Sequence, residues 1–461
     1  MSDFEVNRQT FSAALRKLQT GALLLEADQP SPAPATVDPQ APKPDLWPAL
    51  SPDALHGLAG DVVRVLEPHT EADPVALLVS FLAEVGCMVG RAAHLLLDGS
   101  THPLLFWPVI VGQSSKSRKG TAGRRIEALC QLSDPDWSRG EYKGTLSSGE
   151  GLAYAVRDAS YTVQPVKVDG KLTGETQSVL SDPGIEDKRL FLVQGEFGSV
   201  LRVMARDGNS LSGVLRDAWD GLALAPMTKS NRVRATAPHI GIVGHVTKDE
   251  LLRHLTDTEA SNGFGNRFVW LAARRSKELP FPSMPEQTVI EQLTGAIRQA
   301  VRHGRTCGAL SLTAAGREAW AAIYHDLSAD RPGLAGALLG RAEAQVMRLA
   351  GLYAVLDCQG AIDRPHLKAA CALWEYAEAS TVMIFGNNLG DPVADTILQT
   401  LQARDEMTDT DISCALGRHA SAARLERAKT LLATTGKIHS ETVGTLGRPR
   451  IVWRLGAKKA N

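Results

Sequence analysis

The chain has 461 residues, 44% of them hydrophobic, and a formal net charge of −1. That length accommodates two or three domains with real cores. The near-neutral balance excludes a protein whose whole surface coats polyanions, so a nucleic-acid site has to be a local basic patch.

The six cysteines, Cys87, Cys130, Cys307, Cys358, Cys371 and Cys414, are scattered without a C-x-x-C pair. This favours reduced thiols in a cytoplasmic protein over a disulfide framework or a zinc ribbon. The first residues do not read as a signal peptide, and no apolar run is long enough to span a membrane.

In chain order, residues 1–27 read as one amphipathic helix, and the prolines from Pro30 to Pro48 make a semi-rigid linker, so 1–48 stands apart from the folded chain. Helical periodicity covers 54–66 and 74–90. Apolar, strand-like runs then recur at 104–111, 189–193, 240–246 and 268–272, separated by helical or loop segments. That alternation predicts an α/β domain over 49–284 with a mostly parallel sheet. Residues 285–388 turn helical (288–303, 313–327, 341–356 and 364–385) and read as a lid-like region.

Residues 389–456 read as a compact terminal unit. Helices are expected at 393–403, from Thr408 as a cap, and at 420–434. Two strands, at 437–439 and 450–455, are joined by a turn through Gly444 and Gly447. Three helices and a β-hairpin predict a winged helix-turn-helix. Its second half is basic, with Arg424, Arg427, Arg448, Arg450 and Arg454 among others. This face reads as a DNA contact or as a solvated docking face.

Residues 112–121, Gly-Gln-Ser-Ser-Lys-Ser-Arg-Lys-Gly-Thr, carry the most chemistry. An apolar run ends at Gly112, a loop of small residues follows, and a helix starts near Lys119. Backbone N–H groups of such a loop and the dipole of the helix favour phosphate oxygens. Gly112, Ser114, Ser115 and Gly120 would form the cradle, Lys119 would reach the β/γ-phosphates of ATP, and the Thr121 hydroxyl would ligate Mg²⁺. The spacing departs from G-x-x-x-x-G-K-[ST], since the spacer is longer and Gly120 stands after the lysine. The alternative is a basic surface turn.

Other candidates lie at strand ends. Glu196, after the apolar run 189–193, is a second expected Mg²⁺ ligand, or an ordinary loop glutamate. Glu150, before a short helix, is placed to polarise a water, or simply to stabilise a helix N-terminus. His245 could sense a γ-phosphate or be a core histidine. Arg267, after a Gly/Asn loop, reads as an arginine finger or as a partner of a local carboxylate. Lys229, Arg232 and Arg234 lie in a long polar loop, 222–236, suited to single-stranded DNA in a channel or merely solvated.

Several segments together resemble one family. They are Glu-Pro-His-Thr-Glu-Ala-Asp-Pro (67–74), the 112–121 loop, Leu-Ser-Ser-Gly-Glu-Gly-Leu (146–152), Gly-Glu-Phe (195–197), Gly-Asn-Ser-Leu-Ser (208–212), Gly-His-Val-Thr (244–247) and Asn-Gly-Phe-Gly-Asn-Arg-Phe (262–268). The chain is similar over roughly 48–456 to domain-of-unknown-function family 3987, P-loop proteins of bacterial mobile elements often linked to primase-polymerase domains. The order of functional groups also resembles RecA-type hexameric helicases. The resemblance implies a RecA-like P-loop NTPase core and an ATP- and Mg²⁺-dependent DNA motor, assembled as a homo-oligomer in the form of a hexameric ring. It further implies Glu150 as base, Arg267 acting in trans, and a primase or other replication protein as partner. The stretch 341–350 looks like the lid helix of AAA+ ring ATPases, in which Arg348 would contact nucleotide. The competing readings are a nucleotide-switched DNA-binding initiator and an NTPase of anti-phage defence.

Overall fold

The computed structural model describes residues 47–112, 117–137, 141–142, 145–168, 171–226, 233–331, 333–386, 392–417, 421–434, 436–443 and 450–456. The expected N-terminal helix therefore lies outside the described residues.

Five strands form the central sheet: β1 (Pro108–Gly112), β2 (Glu141–Tyr142), β3 (Arg189–Gln194), β4 (His239–Thr247) and β5 (Val269–Ala272). All pair in parallel, in the order β2-β3-β4-β1-β5. The expected α/β architecture with a parallel sheet is therefore present. Successive side chains of a strand face opposite ways, and here both ways are apolar. Val109 and Val111, Leu190 and Leu192, Ile240 and Ile242, and Trp270 and Ala272 enter one core. Ile110, Phe191, Val243, Val269 and Leu271 enter the other. This is why the runs read as continuous hydrophobic stretches rather than alternating ones.

Helix α1 (Pro74–Val89) is buried almost throughout against one face. Pro74 occupies its first turn, and the Asp73 carboxylate accepts the Val75 N–H at 3.0 Å, supplying the cap. Helix α2 (Lys119–Ser133) packs beside it, while α3 (Phe197–Met204) and α4 (Leu211–Asp220) contribute to the other core.

The expected boundary at residue 285 does not divide the core. Leu352, Leu373 and Ile297 share one hydrophobic cluster with Leu78 and Phe81 of α1. Strand Ala309–Leu312 also pairs in parallel with His94–Leu97, building a small four-stranded sheet across the two segments. The helices expected there form, at Gln287–Gly304, Ala314–Leu327, Ala342–Leu356 and Arg364–Phe385. Their apolar stripes need a partner surface, which α1 provides for Gln287–Gly304 and Ala342–Leu356, while Ala314–Leu327 and Arg364–Phe385 pack on each other and on Ala342–Leu356.

A long antiparallel hairpin, Ser160–Val168 with Lys171–Asp182, was not expected. The terminal unit consists of helices Pro392–Ala403, Asp409–Ala415 and Ala422–Thr434, with a three-stranded antiparallel sheet. Thr408 caps its helix through reciprocal bonds with Asp411 at 3.2 and 2.9 Å. Its additional strand, Glu406–Thr408, pairs with Arg450–Leu455 just before that cap.

Candidate functional site

Neighbouring strands β4 and β1 send their connections in opposite directions, β4 to β5 and β1 back toward β2. Open parallel sheets bind ligands outside the C-terminal ends of strands at such a reversal. Here that place is marked by Gly112, the last residue of β1, registered against Thr247 of β4.

A Cβ at Gly112 would lie 2.4 Å from Ser117 Oγ and 2.9 Å from Lys119 Nζ. Glycine is thus what lets the lysine fold back over the strand end. Arg118, immediately before α2, has φ of 54°, a left-handed conformation uncommon for a non-glycine residue. It is held there by the bond from its Nε to Glu71 Oε2 at 2.7 Å. A backbone that turns through a left-handed residue into a helix start points successive N–H groups into one concavity, suited to an anion. Gly120, by contrast, has open space where a Cβ would stand and is not sterically required.

Lys119 is partly buried, and burial lowers its pKa, with Glu250 pulling the other way. His245, registered against Ile110, is 5% exposed. Burial chiefly, and then the Lys119 charge, push its pKa down to about 4, so it is neutral near pH 7. Its Nε2 has no hydrogen-bond partner among the described residues. The structure therefore brings together Gly112, Lys119 and His245 at one sheet edge.

It also adds Glu250. The Glu250 carboxyl group fills the space where a Gly198 Cβ would stand, 2.2 Å away, and its charge acts on Lys119. Thr247-Lys248-Asp249-Glu250 carried the signal, since a threonine followed three residues later by glutamate marks a helix start. The Thr247 hydroxyl does accept the Glu250 N–H, at 3.3 Å.

The other two acids lie along the same edge. Gln194, ending β3, accepts the Leu146 N–H at 3.1 Å and so positions the turn that carries Glu150. Glu150 accepts the Ser210 hydroxyl at 2.9 Å, and Asn209 donates to Ser147 O at 3.3 Å. The segments 146–152 and 208–212 thus meet in space. Glu196 is exposed, with Ser199 Oγ 3.5 Å from it. Thr121 sits on the first turn of α2 and lines an apolar hollow of about 280 Å³ with Leu66, Arg124, Arg125 and Met284. The segment 67–74 braces the lysine loop from outside. Glu71 binds Arg118 and the Leu279 N–H, and Asp73 accepts the Arg274 N–H at 2.9 Å.

Two expected site residues lie elsewhere. Arg267 is 6% exposed and donates to Asp220 and Gly263 O, each at 2.5 Å. It is the partner of a local carboxylate, not an extended finger, because the 262–268 segment folds back on itself. Arg348 is 1% exposed, donates to Trp219 O at 3.2 Å and stacks on the Trp219 ring. Burial pushes its pKa down to about 9. It approaches the backbone of Leu105, ahead of β1, and so serves the edge opposite to Lys119. A lid-type contact with nucleotide is not available to it in this arrangement.

Ser114, Ser115, Lys229, Arg232 and Arg448 lie outside the described residues. Arg234 is exposed, and Leu224 and Ala235 close the base of its loop with mutual bonds of 3.0 and 2.8 Å. Arg450 and Arg454 face Glu406 at 3.6 and 2.8 Å, so that part of the terminal unit is locally balanced.

Among the described residues, one group has the residue types to hold a metal: His56, Asp357 and His366 converge. His366 Nδ1 accepts the Asp363 N–H at 2.9 Å, which leaves its proton on Nε2, facing Asp357 at 3.3 Å. The arrangement is that of a hydrogen-bonded clasp, and a metal would have to displace that proton. Among the described residues no helix is long and apolar enough to cross a membrane. Neither protein-family profiles nor curated proteins give a match to this chain.

Proposed function

We propose that the protein is a P-loop ATPase acting on DNA, with a RecA-like core and a C-terminal winged helix, in the replication or maintenance of a mobile element. The observation that carries this reading is Lys119 folded over Gly112 at the reversal point of a parallel sheet, beside a buried His245 nitrogen with no partner among the described residues. An ammonium, a left-handed turn and a helix start at that place form a cradle suited to a triphosphate. The close approach of Lys119 that Gly112 permits, and an imidazole nitrogen without a partner among the described residues, are what such a ligand would need.

In this reading Lys119 binds the phosphates, and neutral His245 responds to the terminal one. Thr121 and Glu196 would hold Mg²⁺, which offsets charge on the transferring phosphoryl group. Glu150, oriented by Ser210, takes the proton of the attacking water. DNA contact by the terminal unit would fall to Arg424 and Arg427. Both are exposed on helix Ala422–Thr434, and neither has an ion-pair partner among the described residues. A hexameric ring and a primase partner rest on the family resemblance.

The in-chain pairing of Arg267 favours one runner-up, a nucleotide-switched initiator that does not need a finger from a neighbour. ATP hydrolysis with and without single-stranded DNA separates the two. The motor reading expects DNA-stimulated turnover, lost in Lys119→Ala and in Glu150→Gln. Nucleotide binding by the wild type without turnover would leave the switch.

A further inference from the structure

The opposite edge of the sheet holds a cluster that the nucleotide reading does not use. Trp219 is 1% exposed, and the guanidinium carbons of Arg348, Arg341 and Arg267 lie 3.5, 5.2 and 5.5 Å from its ring centre. Arg348 and Arg267 are buried, while Arg341 is half-buried.

The charges in this cluster do not balance. Asp220 supplies one carboxylate, bound to Arg267. Trp219 O, near the end of α4, accepts from Arg348, and a helix C-terminus contributes about half a negative charge. Asp217, a turn back on α4, acts on both Arg216 and Arg267 and is repelled by Asp220, so counting it together with Arg216 adds one charge of each sign and leaves the excess unchanged. Three guanidiniums thus face about one and a half negative charges, and a buried excess of this kind is unfavourable without a counter-ion.

The hydrogen-bond donors tell the same story independently. Arg267 Nε, Arg348 Nε and Trp219 Nε1 are buried and have no partner among the described residues. Arg341 gives its Nε to Asn266 Oδ1 at 3.1 Å, and its two terminal nitrogens have no partner there. Asp220 is 31% exposed, so the cluster is reached from solvent between it and Arg341.

We propose that this cluster binds a phosphate-class dianion, which competes with Asp220 for Arg267 and takes its remaining bonds from Arg341. Planar guanidinium forks match phosphate oxygens in pairs, and a dianion matches the excess charge better than a carboxylate does. The loop 222–236 starts two residues after Asp220. The phosphate could therefore belong to the 5′-phosphorylated end of a nucleic-acid strand, since an internal phosphodiester carries only one charge, or to a free nucleotide. The proposal does not rest on the Lys119 site.

The test is calorimetric titration of inorganic phosphate into the full chain carrying Lys119→Ala, which removes the other phosphate site. Binding should persist in that background, weaken at least about tenfold with Arg341→Gln, and tighten with Asp220→Asn. Arg341 is half-buried and its replacement keeps the fold, which circular dichroism checks. It therefore carries the test even if Asp220→Asn folds poorly. No binding in the Lys119→Ala chain, or binding indifferent to Arg341→Gln, overturns the proposal. Displacement of phosphate by a 5′-phosphorylated single-stranded oligonucleotide assigns the site to a strand end, and displacement by ADP alone assigns it to nucleotide.

Discussion

The two edges of the parallel sheet use cationic side chains in opposite ways. At the C-terminal edge Lys119 stands over Gly112, partly desolvated, beside a histidine nitrogen with no partner among the described residues. At the N-terminal edge Arg267 and Arg348 are tied to carbonyls, a carboxylate and an indole face. A charge held without partners raises the energy of the empty protein and is suited to binding. Arg267 and Arg348 are instead knit into carbonyls, a carboxylate and an aromatic ring, and only their excess charge and their Nε donors, unmet among the described residues, are left with half-buried Arg341 for an anion. Residue type alone does not tell the two apart, and the contrast yields measurable differences.

The largest effect is expected at the arginine edge. Trp219→Ala removes a buried indole and the stacking surface of Arg348, so chemical denaturation should show a loss of about 4 kcal/mol. A loss below about 1 kcal/mol would mean that the cluster does not anchor the fold.

Next comes pH. His239 and His245 both have pKa values lowered by burial to about 4, whereas the unfolded chain protonates its histidines near 6.5. The unfolded state therefore binds more protons between those values, and stability falls as pH drops from about 6.5 toward 4. The loss should approach about 3 kcal/mol per histidine. Replacing His245 by Gln should flatten its share of that slope.

Gly112→Ala should cost about 1–3 kcal/mol, because the new methyl group meets Ser117 and Lys119. It should also abolish ATP binding by displacing the lysine. Smallest is Lys119→Met, which should change stability by no more than about 0.5 kcal/mol, or raise it, since a partly buried ammonium is removed. A large destabilisation there would place Lys119 with the structural cations and erase the contrast between the edges.

Much of the scaffold was legible because burial on both faces leaves unbroken apolar runs. The strands at 189–194 and 239–247 and the helix at 364–385 fall where periodicity and caps put them. The hairpin at 160–182 was not legible. Its apolar residues, such as Tyr161, Val163 and Leu180, are exposed rather than packed on a core, and Pro165 interrupts the first strand, so the run was short and unanchored. The shared core of 54–97 and 290–377 was hidden as well, since a helix stripe does not name its partner.

At the site, spacing could place Lys119 at a helix start and His245 at a strand end. Glu250 could have been found from its capping pattern with Thr247. Arg267 and Arg348 could not be placed. An arginine in a Gly/Asn loop and one on a helix look solvent-facing until Trp219 and Asp220 are seen beside them.

The most direct test of the central claim is equilibrium binding of ATP with Mg²⁺ to the full chain, wild type against Lys119→Ala. The account predicts binding by the wild type and at least about a tenfold loss in the variant, the worth of one charge-assisted contact to phosphate. Equal affinity in both proteins, or none in the wild type, would contradict it.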